Sequence, residues 1–196
     1  MKSVFSERLE SFGDIYSKDI ELVCVAHPQS SYIDSLGREI LNARQDLELQ
    51  WIQSLDDLRI VDEFLPASID PEASKMLADQ IKESCGMLNQ TLGCKYVGVR
   101  LLTLDKPMCP RFHTDFVKCR MVTTYIGPGT QWLPHKFVNR SKLGHGNQGQ
   151  PDNKSGLFQK NVKIEQLDIG HVALLKGESW LGNEGAGLVH RSPHTS

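Results

Sequence analysis

The chain has no Cys-x-x-Cys pair, no apolar run long enough to span a membrane and no large excess of either charge. Each absence closes off a class of protein. Cys24, Cys85, Cys94, Cys109 and Cys119 are odd in number and irregularly spaced, so neither a disulfide framework nor a zinc knuckle is indicated. They read as reduced thiols, mostly buried. A formal charge of −2 gives no electrostatic case for nucleic acid or for an anionic membrane surface. Lys2, Glu7, Arg8 and Glu10 bring charge in too early for a secretory apolar region. A cytoplasmic protein is expected. No internal repeat is present.

What is there suits one folded unit: 196 residues, 39% hydrophobic and 23% charged. Residues 1–93 read as a mainly helical scaffold with one or two strands, one of them the β-prone run 20–26 that ends at His27 and Pro28. Ser30 and Ser31 suit a helix cap ahead of Ile33, Leu36, Ile40 and Leu41, which keep helical spacing. A strand is expected near 47–53, and a helical turn over 55–64 that Pro66 ends. The clearest helix spans 70–92, with Asp70 as cap, Pro71 at the first position, an apolar stripe of Leu77, Ile81, Cys85 and Leu88, and Gly93 as stop. From residue 94 the character turns to β, with strands expected at 95–104, 121–126, 160–167 and 171–175 and a turn at 127–130. Residues 141–155 are polar and almost free of apolar side chains, which suggests a long functional loop or lid.

The chemistry concentrates in 110–125, read as one extended strand. His113 and Asp115 lie two residues apart, so on a strand they share a face, with Cα atoms roughly 6.6 Å apart. That is half of a metal site. His190 follows on a later strand, and the order of strand, His-x-Asp, turn, strand and distal histidine is that of a double-stranded β-helix with a two-histidine, one-carboxylate triad. The plain alternative is a structural histidine bonded to Asp115. Cys119, roughly 13 Å beyond Asp115 on a straight strand, is too far to share an ion. Cys109 and the loop histidines are weaker candidates, and Tyr125, Trp132 and Trp180 are candidate walls of a cavity.

Residues His113, Asp115 and Arg120, the run 124–134, Asn139 and Arg140, the run 170–177, and 189–193 together resemble the bacterial family known as domain of unknown function eighteen twenty-six. The likeness covers about 20–193 and implies a metal context. His113, Asp115 and His190 also resemble, more loosely, the ligands of cupin-like 2-oxoglutarate and Fe(II) dioxygenases. That likeness implies an α+β fold, with N-terminal helices packed on a C-terminal jelly roll over 94–196 that lacks its last strand. It implies Fe(II), with 2-oxoglutarate as co-substrate, or Zn(II) in a metal-homeostasis protein without redox catalysis. In the oxygenases a last strand commonly carries the basic residue for the 2-oxoglutarate carboxylate. Here that part falls to Arg111, Arg120 or Arg100, Arg111 being preferred because it shares the face of His113 and Asp115; Arg111 and Tyr125 are the candidate catalytic residues. The substrate, a small molecule or a protein, is not legible. An unpaired sheet edge near the C-terminus makes a homodimer an expectation.

Overall fold

The computed structural model describes residues 1–26, 30–43, 46–58, 65–67 and 69–193. It is a mixed α/β structure with several sheets, none of them closed among the described residues. The chain divides into two compact units, Met1–Pro28 with Lys106–Ser196, and Gln29–Asp105.

In the Gln29–Asp105 unit, helix α1 (Ser30–Ala43) buries Leu36 and Ile40, one turn apart. Strand β3 (Glu48–Ser54) pairs antiparallel with β4 (Tyr96–Leu102). Helix α2 (Pro71–Leu92) begins where the Asp70 carboxylate accepts from the backbone N–H groups of Glu72 and Ala73. It ends at Gly93, which takes the left-handed conformation that glycine tolerates best. The stripe it buries includes Leu77, Ile81 and Cys85. The expected helical turn at 55–64 falls largely on residues 59–64, outside the described ones.

The other unit carries two facing sheets. The first has the order β1-β2-β8-β5, from β1 (Lys2–Ser6), β2 (Ile20–Val25), β8 (Val172–Lys176) and β5 (Cys119–Thr123). β1 runs parallel to β2, and the remaining pairs are antiparallel. The second has the order β7-β6-β9, from β7 (Glu165–Gln166), β6 (Gln131–Leu133) and β9 (Val189–Arg191). Side-chain alternation brings the sheets together: Leu22 and Cys24 of β2, Ala173 and Leu175 of β8, and Trp132 of β6 join Leu167 and Leu188 in one buried cluster. On the outer face of the second sheet, Leu133 and Val189 pack with Phe112 and Leu157.

Two local expectations are corrected. Residues 110–125 do not form one strand: His113 makes an isolated bridge to His190, residues 116–118 bend, and β5 starts only at Cys119. The bend moves the chain from the second sheet to the first. The strand expected over 160–167 shrinks to Glu165–Gln166, because only those residues find a partner on β6.

Candidate metal centre

His113 and His190 face each other as a hydrogen-bonded antiparallel pair, each N–H donating to the other's carbonyl at 3.0 Å. Residues so paired project their side chains to one face, and the two imidazole centroids lie 4.6 Å apart. Trp132 is the partner of His190 on β6 and belongs to the inter-sheet cluster, so the histidines look into the space between the sheets. Asp115, two residues on from His113, comes to the same place. Its Oδ1 is 3.7 Å from His113 Nε2 and its Oδ2 is 3.5 Å from His190 Nε2. One donor atom from each of the three residues lies within 4.8 Å of the others.

The tautomers are fixed by the backbone. His113 Nδ1 is 2.9 Å from the Arg111 carbonyl and His190 Nδ1 is 3.1 Å from the Leu188 carbonyl. Since a carbonyl only accepts, both Nδ1 atoms carry a proton, and both Nε2 atoms face the shared carboxylate. Burial holds the pKa of His190 down at about 4, so its ring is uncharged at neutral pH. Burial pushes the Asp115 pKa up, but the hydrogen bond and charge of Arg120 act against it, and the net shift is downward. Two imidazoles with Nε2 turned inward and one carboxylate are a donor set of the kind that can hold a divalent cation.

The loop that carries Asp115 is docked against the end of β8. Gly177 donates to the Lys118 carbonyl and Glu178 N–H to the Asp115 carbonyl, both at 2.9 Å. A side chain at position 177 would put a Cβ 2.0 Å from the Val117 carbonyl oxygen and 3.0 Å from that of Asp115. Only glycine permits that approach.

Of the other residues singled out from the sequence, Arg120 reaches the centre. It pairs with Leu175 across β5 and β8, on the inter-sheet face, and donates to Asp115 Oδ2. Arg111 does not point there: its guanidinium binds Asp152 Oδ1 at 2.7 Å and the Gln150 carbonyl. Arg100 lies on β4, in the other unit, 3.4 Å from Glu48. Tyr125 is half-buried in the connection between β5 and β6. Cys119 sits on β5 opposite Lys176, and neither it, Cys109, His135 nor His145 belongs to a donor cluster with the triad among the described residues.

A second histidine and carboxylate constellation went unread in the sequence. Glu21, on β2, is buried; its Oε1 accepts from the His135 backbone N–H at 3.2 Å, and its Oε2 is 3.8 Å from His135 Nδ1. Arg140 donates to His135 Nδ1 at 3.3 Å, to the Gly187 carbonyl at 2.5 Å and to Glu178 Oε1 at 3.2 Å. Burial raises the Glu21 pKa and, together with Arg140, lowers that of His135. Nothing in the spacing of residues 21, 135, 140 and 178 announces this meeting, which only the sheet stacking creates.

A model of the family described as "Protein of unknown function (DUF1826)" matches residues 6–196. Comparison with curated proteins and with solved structures finds no match to the chain.

Proposed function

The chain belongs to the DUF1826 family, and since that membership brings no reaction with it, we propose one from the site: His113, Asp115 and His190 hold a single divalent metal ion. Fe(II) is the first assignment. On this reading the protein is a cytoplasmic oxygenase acting on a small molecule or a protein, with 2-oxoglutarate as co-substrate. The observation that carries the reading is the orientation of the two imidazoles, each tied at Nδ1 to a backbone carbonyl and each offering Nε2 to one carboxylate. Backbone anchoring of the distal nitrogen is the usual second support of a metal-bound histidine. Three N and O donors without sulfur leave coordination positions open for exogenous ligands, as dioxygen chemistry needs. When bound, Fe(II) supplies the redox chemistry; the protein's part is to orient ligands and to wall off water.

The finer fold belongs to the same proposal. Two sheets sharing one core, with the triad on their facing surfaces, are consistent with a double-stranded β-helix. Arg120 is then the candidate for the co-substrate carboxylate, because its bond to Asp115 holds it on the inter-sheet face at the triad, while Arg111 is turned away to Asp152 and Arg100 belongs to the other unit.

The second reading is Zn(II) in the same donors, in a metal-homeostasis protein without redox catalysis. Bonds of about 2.1 Å place tetrahedral ligand atoms roughly 3.4 Å apart and octahedral neighbours roughly 3.0 Å apart. The separations of 3.5 and 3.7 Å run to different oxygens of Asp115 and exceed both figures, so they do not choose between the two metals. X-ray absorption on protein reconstituted under anaerobic conditions separates the readings. A six-coordinate shell of N and O donors, with dioxygen uptake that depends on 2-oxoglutarate, is the expected result. A four-coordinate shell without dioxygen uptake would overturn it.

A further inference from the structure

Behind the triad lies a buried carboxylate that the metal reading does not itself require. Asp152 belongs to the polar loop 141–155, yet it is only 7% exposed. Its Oδ1 accepts from Arg111 Nε at 2.7 Å, its Oδ2 accepts from the Phe112 backbone N–H at 2.9 Å, and Arg191 Nη1 stands 3.8 Å from Oδ2. These partners flank the two histidines in sequence. Arg111 and Phe112 directly precede His113, and Arg191 directly follows His190.

The geometry gives this contact a task. The bridge between His113 and His190 uses the N–H and carbonyl of His113, so the N–H of Phe112 points the other way, to an open edge. Asp152 occupies that edge in place of a further strand. It also holds Arg111, whose own carbonyl fixes His113 Nδ1. On the opposite strand, Arg191 is shared between Asp152, the Gln131 side chain at 2.9 Å and the face of the Phe112 ring, 4.4 Å from its centroid. One carboxylate thus gathers the backbone just before one ligand and the side chain just after another. The loop itself is tied down around Asp152: Ser155 Oγ donates to its carbonyl, and Asn139 N–H donates to the Leu157 carbonyl at 2.7 Å.

We infer that Asp152 is a positioning residue for the metal centre, locking the segments that carry His113 and His190 into the ligating register from outside the coordination shell. This rests on the assignment of the triad as a metal site. It also gives the polar loop a job other than that of a mobile lid, since its middle is clamped beneath the ligand strands.

The test titrates purified full-length protein with Co(II), whose visible spectrum reports both affinity and ligand geometry. Wild type is compared with Asp152→Asn, which keeps the shape and removes the charge and one acceptor, and with Asn147→Ala, a loop-turn change away from the ligand strands. Asp152→Asn is expected to weaken Co(II) binding 10- to 100-fold and to shift the absorption bands, the range found when outer-shell support of a metal ligand is lost. Asn147→Ala should bind as wild type does. Equal affinity and equal spectra for Asp152→Asn and wild type would overturn the positioning role and leave the metal reading standing, whereas a wild type that binds no Co(II) would overturn both. If Asp152→Asn loses its cooperative melt, Arg111→Gln, at a partly exposed side chain, takes its place. It should weaken binding several-fold, and an undiminished affinity would count against the role.

Discussion

Two places in the same unit bring histidine and carboxylate together, and they do opposite things with them. At His113, Asp115 and His190, each ring is held by a carbonyl at Nδ1, so each Nε2 turns to Asp115. At Glu21 and His135, a guanidinium stands where a cation would have to go: Arg140 donates to His135 Nδ1 and to Glu178. The comparison teaches that residue type does not make a metal centre. What decides is which nitrogen faces the carboxylate, and whether a fixed positive charge already fills the gap. The triad also has an arginine, but Arg120 bonds to Asp115 Oδ2 and not to a ring nitrogen.

Substitutions should split the two regions cleanly. The largest effect is expected from Asp115→Ala, which removes the carboxylate of the proposed triad. Its metal binding, followed by elemental analysis after desalting, should vanish, while the melting temperature changes little, because relief of burial offsets much of the lost pairing. Arg140→Met should do the reverse, costing about 3 kcal/mol in urea unfolding by leaving Glu178 and Glu21 buried without their cation. If it removed metal binding without loss of stability, the contrast would be lost. Gly177→Ala sits between the regions. The new methyl meets the Val117 carbonyl, and the strain of about 1–3 kcal/mol has to be relieved by moving the Asp115 loop, so both stability and metal affinity should fall.

The smallest effect is a matter of pH. Burial raises the folded-state pKa of Glu21, so its contribution to stability is fully present below the ordinary glutamate value and is lost as pH rises through the folded value. Wild type should therefore lose ground to Glu21→Gln between pH 4.5 and neutrality, a trend that parallel urea titrations would detect or refute.

The legible parts of the chain were those where local chemistry and tertiary structure agree. Asp70, Pro71 and Gly93 punctuate α2 as their side chains and backbone preferences demand, and β2 and β8, apolar apart from Glu21 and Lys176, are fully buried. His113 and Asp115 share a face because i and i+2 do so in any extended segment, even in one that bends three residues later. His190 was reachable only through strand order and family likeness, since no spacing rule ties it to His113. β1 was not legible: Lys2, Ser3 and Ser6 outnumber Val4 and Phe5, and the strand exists because β2 offers an edge. Asp152 gave no signal either. One aspartate in a polar loop looks like solvent-facing chain until Phe112 and Arg111 are seen to close over it.

The central claim is that three side chains, and no others, create one metal site. Anaerobic reconstitution with Fe(II), followed by metal quantification per chain, tests it directly on wild type and on the triple variant His113→Ala, Asp115→Ala, His190→Ala. The account predicts about one equivalent for wild type and none for the triple variant, with the fold retained. A triple variant that still takes up the same equivalent, or a folded wild type that takes up none, would contradict it.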